Sequence, residues 1–246
     1  MQWLPINFAR RFGERPARSI ATEKLVNWYV QFTESHGKNT AIVKQRSGLI
    51  VRATIGIGPH RGALEFDGVM YLVSGSGFYT YNTAGTATFI FDLATYRGDI
   101  SMASNGLQLL IVDGQDGWLY TYATGAHVQI ADADFVDAKQ VVFYRGRFIV
   151  IKPGTGQFYI SALYDGTSWQ SLDYASAEID PDDLLALIVS HQELWLLGEY
   201  TTEAYTDTGN ALFPFEAQPG GFVEWGIAAP FSIAKGDNTV IWLAKT

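Results

Sequence analysis

The chain has 246 residues, no cysteine and a formal net charge of −8. The lack of thiols excludes disulfides, thiolate metal sites and a cysteine nucleophile, and the acidic balance argues against a broad basic face for nucleic-acid phosphates. Hydrophobic residues make up 48% and charged residues 17%, with 13 Tyr, 15 Phe, 7 Trp and 25 Gly, the balance of an all-β chain whose strands are joined by tight turns.

Residues 1–40 read as an N-terminal arm. They break at Pro16, lack sustained alternation and suggest one strand over Leu25 to Gln31. Arg10, Arg11, Arg15 and Arg18 form the one basic cluster, read as a solvated or partner-docked arm in preference to a nucleic-acid contact. The opening "MQWLPINFARRF" lacks the basic-then-apolar order of a secretory signal. No apolar run approaches the roughly 18 to 20 residues that cross a bilayer, so no stable membrane insertion is expected. From Ala41 onward short apolar runs alternate with Gly, Asn and Asp pairs, the pattern of successive hairpins. The first is expected in "AIVKQRSGLIVRATI", with Ser47-Gly48 at its turn.

A longer repeat follows. "FDGVMYLV" (66–73), "SNGLQLLIV" (104–112), "YRGRFIVI" (144–151), "SHQELWLLG" (190–198) and "GDNTVIWLA" (236–244) each place a turn pair before an apolar strand. The pairs begin at Asp67, Asn105, Arg145, His191 and Asp237, so they are spaced by 38, 40, 46 and 46 residues. A second hairpin follows the first four, with Tyr79, Tyr120, Tyr159 and Tyr205 at matching places. Antiparallel units of this period are propeller blades, each needing a neighbour to bury its faces. The expectation is a β-propeller of four or more blades over 41–246, with a ring that does not close within this chain.

Asp165-Gly166-Thr167-Ser168-Trp169 nearly spells the Asp-box of glycoside-cleaving propellers, but one intervening residue is missing. Its sister corners at 82–86, 123–126 and 207–211 mark it as a recurrent turn, in which Gly supplies a positive φ and Asp caps its own backbone. Asp113 and Asp116 in "DGQDG" offer calcium two carboxylates where six to eight oxygens are needed. The acidic loop "EIDPDDLL" (178–185), with Asp180, Pro181, Asp182 and Asp183, could pair carboxylates for hydrolysis but reads as a surface turn. His36, His60, His127 and His191 lack metal-ligand spacing. Gly75-Ser76-Gly77 lies in a hairpin where a nucleophile elbow would need a helix, and "GIGPHRG" (56–62) lacks the helix of a phosphate cradle. No catalytic, cofactor or metal residue is assigned.

Several long stretches resemble the phage stabilisation proteins, also called packaged DNA stabilisation or tail hub proteins, of short-tailed bacteriophages. They include "ARSIATEKLVNWY" (17–29), "SGLIVRATIGIGPHRG" (47–62), "GDISMASNGLQLLIVDG" (98–114), "FYISALYDGTSWQSLDYASAE" (158–178), "ELWLLGEYTTEAYTDTG" (193–209) and "FPFEAQPGGFVEWGIAAPFSIAKGDNTVIWL" (213–243). The resemblance implies a non-enzymatic virion protein, made in the host cytoplasm, that forms a homo-hexameric ring below the portal and its adaptor. Such a ring would help retain packaged DNA and carry the tail needle and tailspikes or fibres, with no cofactor. Members of that family are usually longer, so the chain covers about their N-terminal half. The alternative from another class is a glycan-binding or glycan-cleaving propeller, suggested by Trp118, Trp169 and Trp195 as exposed aromatics.

Overall fold

The computed structural model describes residues 28–32, 41–177, 182–210, 213–237 and 239–245. The chain divides into two units, Met1–Arg52 and Ala53–Thr246. In the first, β1 (Trp28–Phe32) pairs antiparallel with β2 (Ala41–Gln45). This strand corresponds to the one expected at Leu25 to Gln31, of which residues 25–27 lie outside the described residues. The hairpin expected around Ser47-Gly48 does not form. The hydrogen-bonding partner of β2 is β1, and residues 46–56 carry no strand, with Leu49, Ile50 and Val51 fully open to solvent. An apolar run with nothing to pack against gains nothing from forming a ladder.

In the second unit the repeat becomes four antiparallel sheets of four strands each. Blade 1 contains β3 (His60–Phe66), β4 (Val69–Ser74), β5 (Gly77–Tyr81) and β6 (Ala87–Asp92). Blade 2 contains β7 (Ser101–Ser104), β8 (Gln108–Val112), β9 (Gly117–Thr121) and β10 (His127–Gln129). Blade 3 contains β11 (Val141–Tyr144), β12 (Arg147–Ile151), β13 (Gln157–Ala162) and β14 (Asp165–Ser176). Blade 4 contains β15 (Leu184–Ser190), β16 (Glu193–Gly198), β17 (Thr202–Asp207) and β18 (Phe215–Val223). Within each blade every strand pairs with the next in sequence.

The turn pairs read from the sequence sit between the first and second strands of each blade. Asp67-Gly68 (φ 52° and 73°) and Arg145-Gly146 (50° and 81°) are left-handed at both positions, the geometry whose twist matches a two-residue hairpin. His191-Gln192 adopts the same conformation (50° and 64°) without a glycine, which costs backbone strain.

Alternation along the second strands distributes the core among the joints between blades. In β8, Leu109 and Ile111 pack with Tyr71, Val73 and Phe78 of blade 1, while Leu110 and Val112 pack with Phe148 and Val150 of blade 3. In β12, Ile149 and Ile151 point the other way, onto Leu194 and Leu196 of blade 4. Strands β8, β12 and β16 are therefore apolar on both faces, as a strand sandwiched between two sheets must be.

The first strands β3, β7, β11 and β15 run close to one another from blade to blade, and a line of hydrogen bonds runs across them. Ile100 N–H donates to the Arg61 carbonyl (3.2 Å), and Val141 N–H donates to Ser101 Oγ (3.1 Å). Gln140, buried, accepts from Leu187 N–H through Oε1 (3.0 Å) and donates through Nε2 to the Pro230 carbonyl (3.1 Å).

Beyond blade 4 lie β19 (Gly226–Ile227), a 3-10 turn (Pro230–Ser232), β20 (Ala234–Lys235), β21 (Val240–Ile241) and β22 (Ala244–Lys245). Strands β20 and β21 pair around the fifth repeat turn, and β19 pairs with β22. Ile227, Ile233 and Trp242 cover Ala186 and Leu197 of blade 4. The fifth repeat is thus a hairpin laid on blade 4.

The strain at His191-Gln192 is removable. Gln192→Gly is expected to stabilise the protein by about 1 kcal/mol, raising the melting temperature by roughly 2–4 °C in differential scanning calorimetry.

Candidate functional site

The loops that join one blade to the next, and the turns between second and third strands, lie at one end of the blades. Most of the polar residues singled out in the sequence are found here. What they contact decides what they can do.

Arg61, the second residue of β3, is buried at this end. Its Nε donates to the Gly98 carbonyl (2.8 Å), and Nη1 donates to the carbonyls of Gly75 (3.0 Å) and Thr95 (2.8 Å). Nη2 donates to Thr95 Oγ1 (2.8 Å) and the Arg97 carbonyl (3.0 Å). All five guanidinium donors are thereby engaged. Burial lowers the Arg61 pKa, opposed by the nearby Asp113 and Asp99. The "GIGPHRG" stretch is the approach to this anchor: Gly58 runs so close to Gly75 that a Cβ there would lie 2.3 Å from the Gly75 Cα. Nothing in the sequence marks Arg61, because a lone Arg between His60 and Gly62 carries no periodic signal.

The aspartates are occupied in a similar way. Asp113 Oδ1 accepts from the backbone N–H groups of Gln115 (3.0 Å) and Asp116 (2.7 Å), and Oδ2 accepts from Thr95 Oγ1 (2.5 Å). Asp116 accepts from Gln129 Nε2 (2.8 Å). Asp182 caps the turn between β16 and β17, with Oδ1 accepting from Glu199 N–H (2.9 Å) and Oδ2 from the N–H groups of Tyr200 (2.7 Å) and Thr201 (2.8 Å). Gly198 is required beneath it, since a Cβ would fall 2.2 Å from Asp182 Oδ2. Asp182 is therefore a turn cap, and hydrolytic pairing within its loop finds no support in this geometry; Asp180 and Pro181 lie outside the described residues.

The Asp-box-like turn lies at the opposite end, opening β14. Asp165 Oδ1 accepts from Thr167 N–H (2.9 Å) and Oγ1 (2.7 Å), the expected self-cap. The positive φ, however, belongs to Tyr164 (53°), whereas in the sister corners it belongs to Gly85, Gly125 and Gly209. Gly166 serves close packing instead, because a Cβ would meet Leu119 Cδ1 at 2.6 Å.

Trp169 is only 3% exposed. Its Nε1 donates to the Gly166 carbonyl (2.9 Å), its backbone N–H donates to Asp132 Oδ2 (3.0 Å), and Phe135 meets the ring edge-on. Trp118 lies half-buried against Phe91 in the first joint, and Trp195 lies half-buried on the far face of blade 4, donating to Glu193. The three tryptophans expected as exposed aromatics are joint-filling side chains, since each sits on a strand face covered by the next or preceding unit.

His60, His127 and His191 occupy three different blades; His127 stacks on Phe91 and His191 Nδ1 meets Ser190 Oγ at 3.0 Å. His36 and Arg10, Arg11, Arg15 and Arg18 lie outside the described residues. Ser76 in the Gly75–Gly77 turn donates to Asp92 Oδ1 (2.8 Å). Among the described residues no group of three or more His, Cys, Asp or Glu side chains could hold a metal ion.

A model of the phage stabilisation family, described as Bacteriophage P22 Gp10, beta-propeller, matches residues 16–246. The chain belongs to this family. No curated protein matches it significantly. Among solved structures, the computationally designed Ika8 protein aligns with a TM-score of 0.52 at 14% identity, over 76% of this chain and 55% of that one. The extracellular domain of the one-component system BT4673 from B. thetaiotaomicron aligns with a TM-score of 0.52 at 12% identity, over 82% of this chain and 27% of that one. The phage stabilisation chain thus spans about half the length of the designed protein and a quarter of the second, and at these identities both likenesses concern the fold alone.

Two substitutions test the polar anchors. Arg61→Met leaves five acceptors without their donor and is expected to cost about 3 kcal/mol or more in urea unfolding at neutral pH. Hydrogen bonds from the backbone N–H groups of Trp169 and Asp134 hold the Asp132 pKa below the usual carboxylate value. A carboxylate with a lowered folded pKa stabilises above its unfolded value, about 3.9, and loses that contribution as pH falls through the folded value. The unfolding midpoints of the wild type and Asp132→Ala should differ at pH 7 and converge below about pH 4.

Proposed function

We propose that this phage β-propeller protein is a tail hub and head-completion subunit. In this reading it docks below the portal and its adaptor, helps close the channel after packaging, and anchors other tail parts, acting by assembly and without catalysis. The observation that carries it is the family match along residues 16–246.

The geometry supports the reading in a specific way. The carboxylates that might have served catalysis are spent on backbone N–H groups in turns, and the buried Arg61 is spent on carbonyls. Such a surface offers shape and fixed loops rather than reactive groups, which suits a part that works by being held in place. The acidic net charge suits retention of DNA through protein contacts around a conduit better than a grip on phosphates. A homo-hexamer, with the portal-adaptor, tail needle and tailspike or fibre proteins as partners and the virion tail as location, completes the proposal. The glycan-cleaving alternative loses the feature that motivated it, because Trp169 of the Asp-box-like turn is buried rather than displayed to a sugar.

Deleting the gene from the phage tests this directly. The expected outcome is normally packaged heads that leak DNA and lack tails in negative-stain images, together with recovery of the protein from wild-type tails by mass spectrometry. Stable, infectious particles without the protein would overturn it.

A further inference from the structure

The turn that joins β7 to β8 differs from its counterparts in the other three blades. Asn105-Gly106 is the one Asn-Gly pair in the chain, and of its two residues only Gly106 is left-handed (φ 88°). The Asn105 backbone N–H donates to the Gln108 carbonyl (3.0 Å), but the return bond from Gln108 N–H goes to the Asn105 side chain. Asn105 Oδ1 accepts that bond at 2.6 Å and a second from Leu107 N–H at 2.8 Å. A carboxamide carbonyl is held between two backbone donors, in a turn whose Gly106 and Leu107 are exposed.

The same side chain reaches across the second joint. Asn105 Nδ2 donates to Gln108 Oε1 (3.3 Å) and to the Tyr164 carbonyl (3.5 Å), and Gln108 Oε1 also accepts from Gly166 N–H (3.3 Å). Asn105 and Gln108 of blade 2 therefore latch the 164–166 corner of blade 3, where Tyr164 carries the left-handed φ.

An asparagine cyclises when the backbone nitrogen of the next residue adds to its side-chain carbonyl carbon, a step that a Cβ on that next residue hinders. Gly106 has none, and nothing lies within 4 Å of where one would stand. Gly106 N–H donates to Ser104 Oγ (3.1 Å), an acceptor that draws its proton outward. The two N–H groups on Oδ1 sit where negative charge gathers as the carbonyl is attacked, an arrangement that stabilises an oxyanion. The turn also fixes nucleophile and carbonyl in one conformation, which lowers the entropic part of the barrier. The bonds from Nδ2, at 3.3 and 3.5 Å, hold the leaving nitrogen weakly.

We propose that Asn105 is a self-modification site, which the folded turn converts to aspartyl or isoaspartyl by way of a succinimide. Gly106 N bonds to Asn105 Cγ, the Cγ–Nδ2 bond breaks, and ammonia leaves carrying the Gly106 amide proton. Water then opens the ring at either carbonyl. Both products lack the Nδ2 donor and bring a carboxylate into the turn, so the Tyr164 carbonyl and Gln108 Oε1 meet an acceptor and the latch opens. The blades stay folded while the corner of blade 3 loses its hold on blade 2.

Ageing the purified 246-residue protein in mildly alkaline buffer tests the site, with tandem mass spectrometry of the tryptic peptide 98–139 and enzymatic labelling of isoaspartate. Aspartyl and isoaspartyl forms are expected at position 105, appearing no more slowly in the folded protein than in the same chain unfolded in urea. Asn82, an exposed asparagine followed by Thr83, should stay intact over the same period. Hydrogen exchange at Gly166 should speed up in the aged protein and in Asn105→Asp, while the amides of β16 and β17 keep their protection. The aged wild type supplies this reading should Asn105→Asp fail to fold. Conversion that is slower in the folded chain, equal conversion at Asn82, or unchanged exchange at Gly166 would overturn the proposal.

Discussion

A four-stranded sheet that is apolar on both faces has no stable existence in water by itself, and this constraint governs the whole of residues 53–246. The second strands β8, β12 and β16 each place alternate residues in two different joints, so these blades do not own their cores. The blades are units of pattern, and the joints are the units of stability. Per-repeat insertions are accordingly confined to turns, while the joint-facing positions keep aliphatic and aromatic side chains.

Polar groups then settle where the joints end. Arg61 gathers the carbonyls of the Gly75 turn and of the 95–98 loop, Asp182 gathers three N–H groups, and Asp132 holds Trp169 across the second joint. A buried charge or a cluster of carboxylates often marks chemistry, but here each finds its partners in the backbone. The side chains fix the loops, and the loops fix the spacing between neighbouring blades.

Much of this was legible in the sequence because hairpins are local. The turn pairs at Asp67, Arg145 and His191, the four-strand repeat and the matching tyrosines follow from two-residue alternation and turn chemistry, and the structure bears them out. What was not legible depends on residues far apart in the chain. The partner of β2 lies upstream, and nothing local to Ser47-Gly48 says that β2 pairs with the strand expected at Leu25 to Gln31 rather than with the apolar run that follows it. Trp169 looked exposed because a tryptophan beside Asp-Gly-Thr-Ser is surrounded by polar letters, whereas its neighbours in space are Phe135 and the Asp132 loop. Gln140 gave no signal at all, since a single glutamine bridging two later segments has no period. Tyr164 takes the left-handed position that its sister corners give to glycine, with its ring beside Gly146, and composition cannot announce that exchange.

The line of hydrogen bonds from Arg61 to Pro230 has a further consequence, in time rather than in space. From Arg61 to Leu187 each link joins a blade to the one made immediately before or after it, and the bond from Gln140 to the Pro230 carbonyl, 90 residues on, is the one long reach. Contacts of such modest sequence separation close quickly and cost little loop entropy. During synthesis the first joint can therefore assemble while the third blade is still inside the ribosome, and each emerging blade finds a finished surface to fold against. A protein that hides its apolar faces in the order it makes them spends little time as an open edge, which is the state in which β-rich chains aggregate.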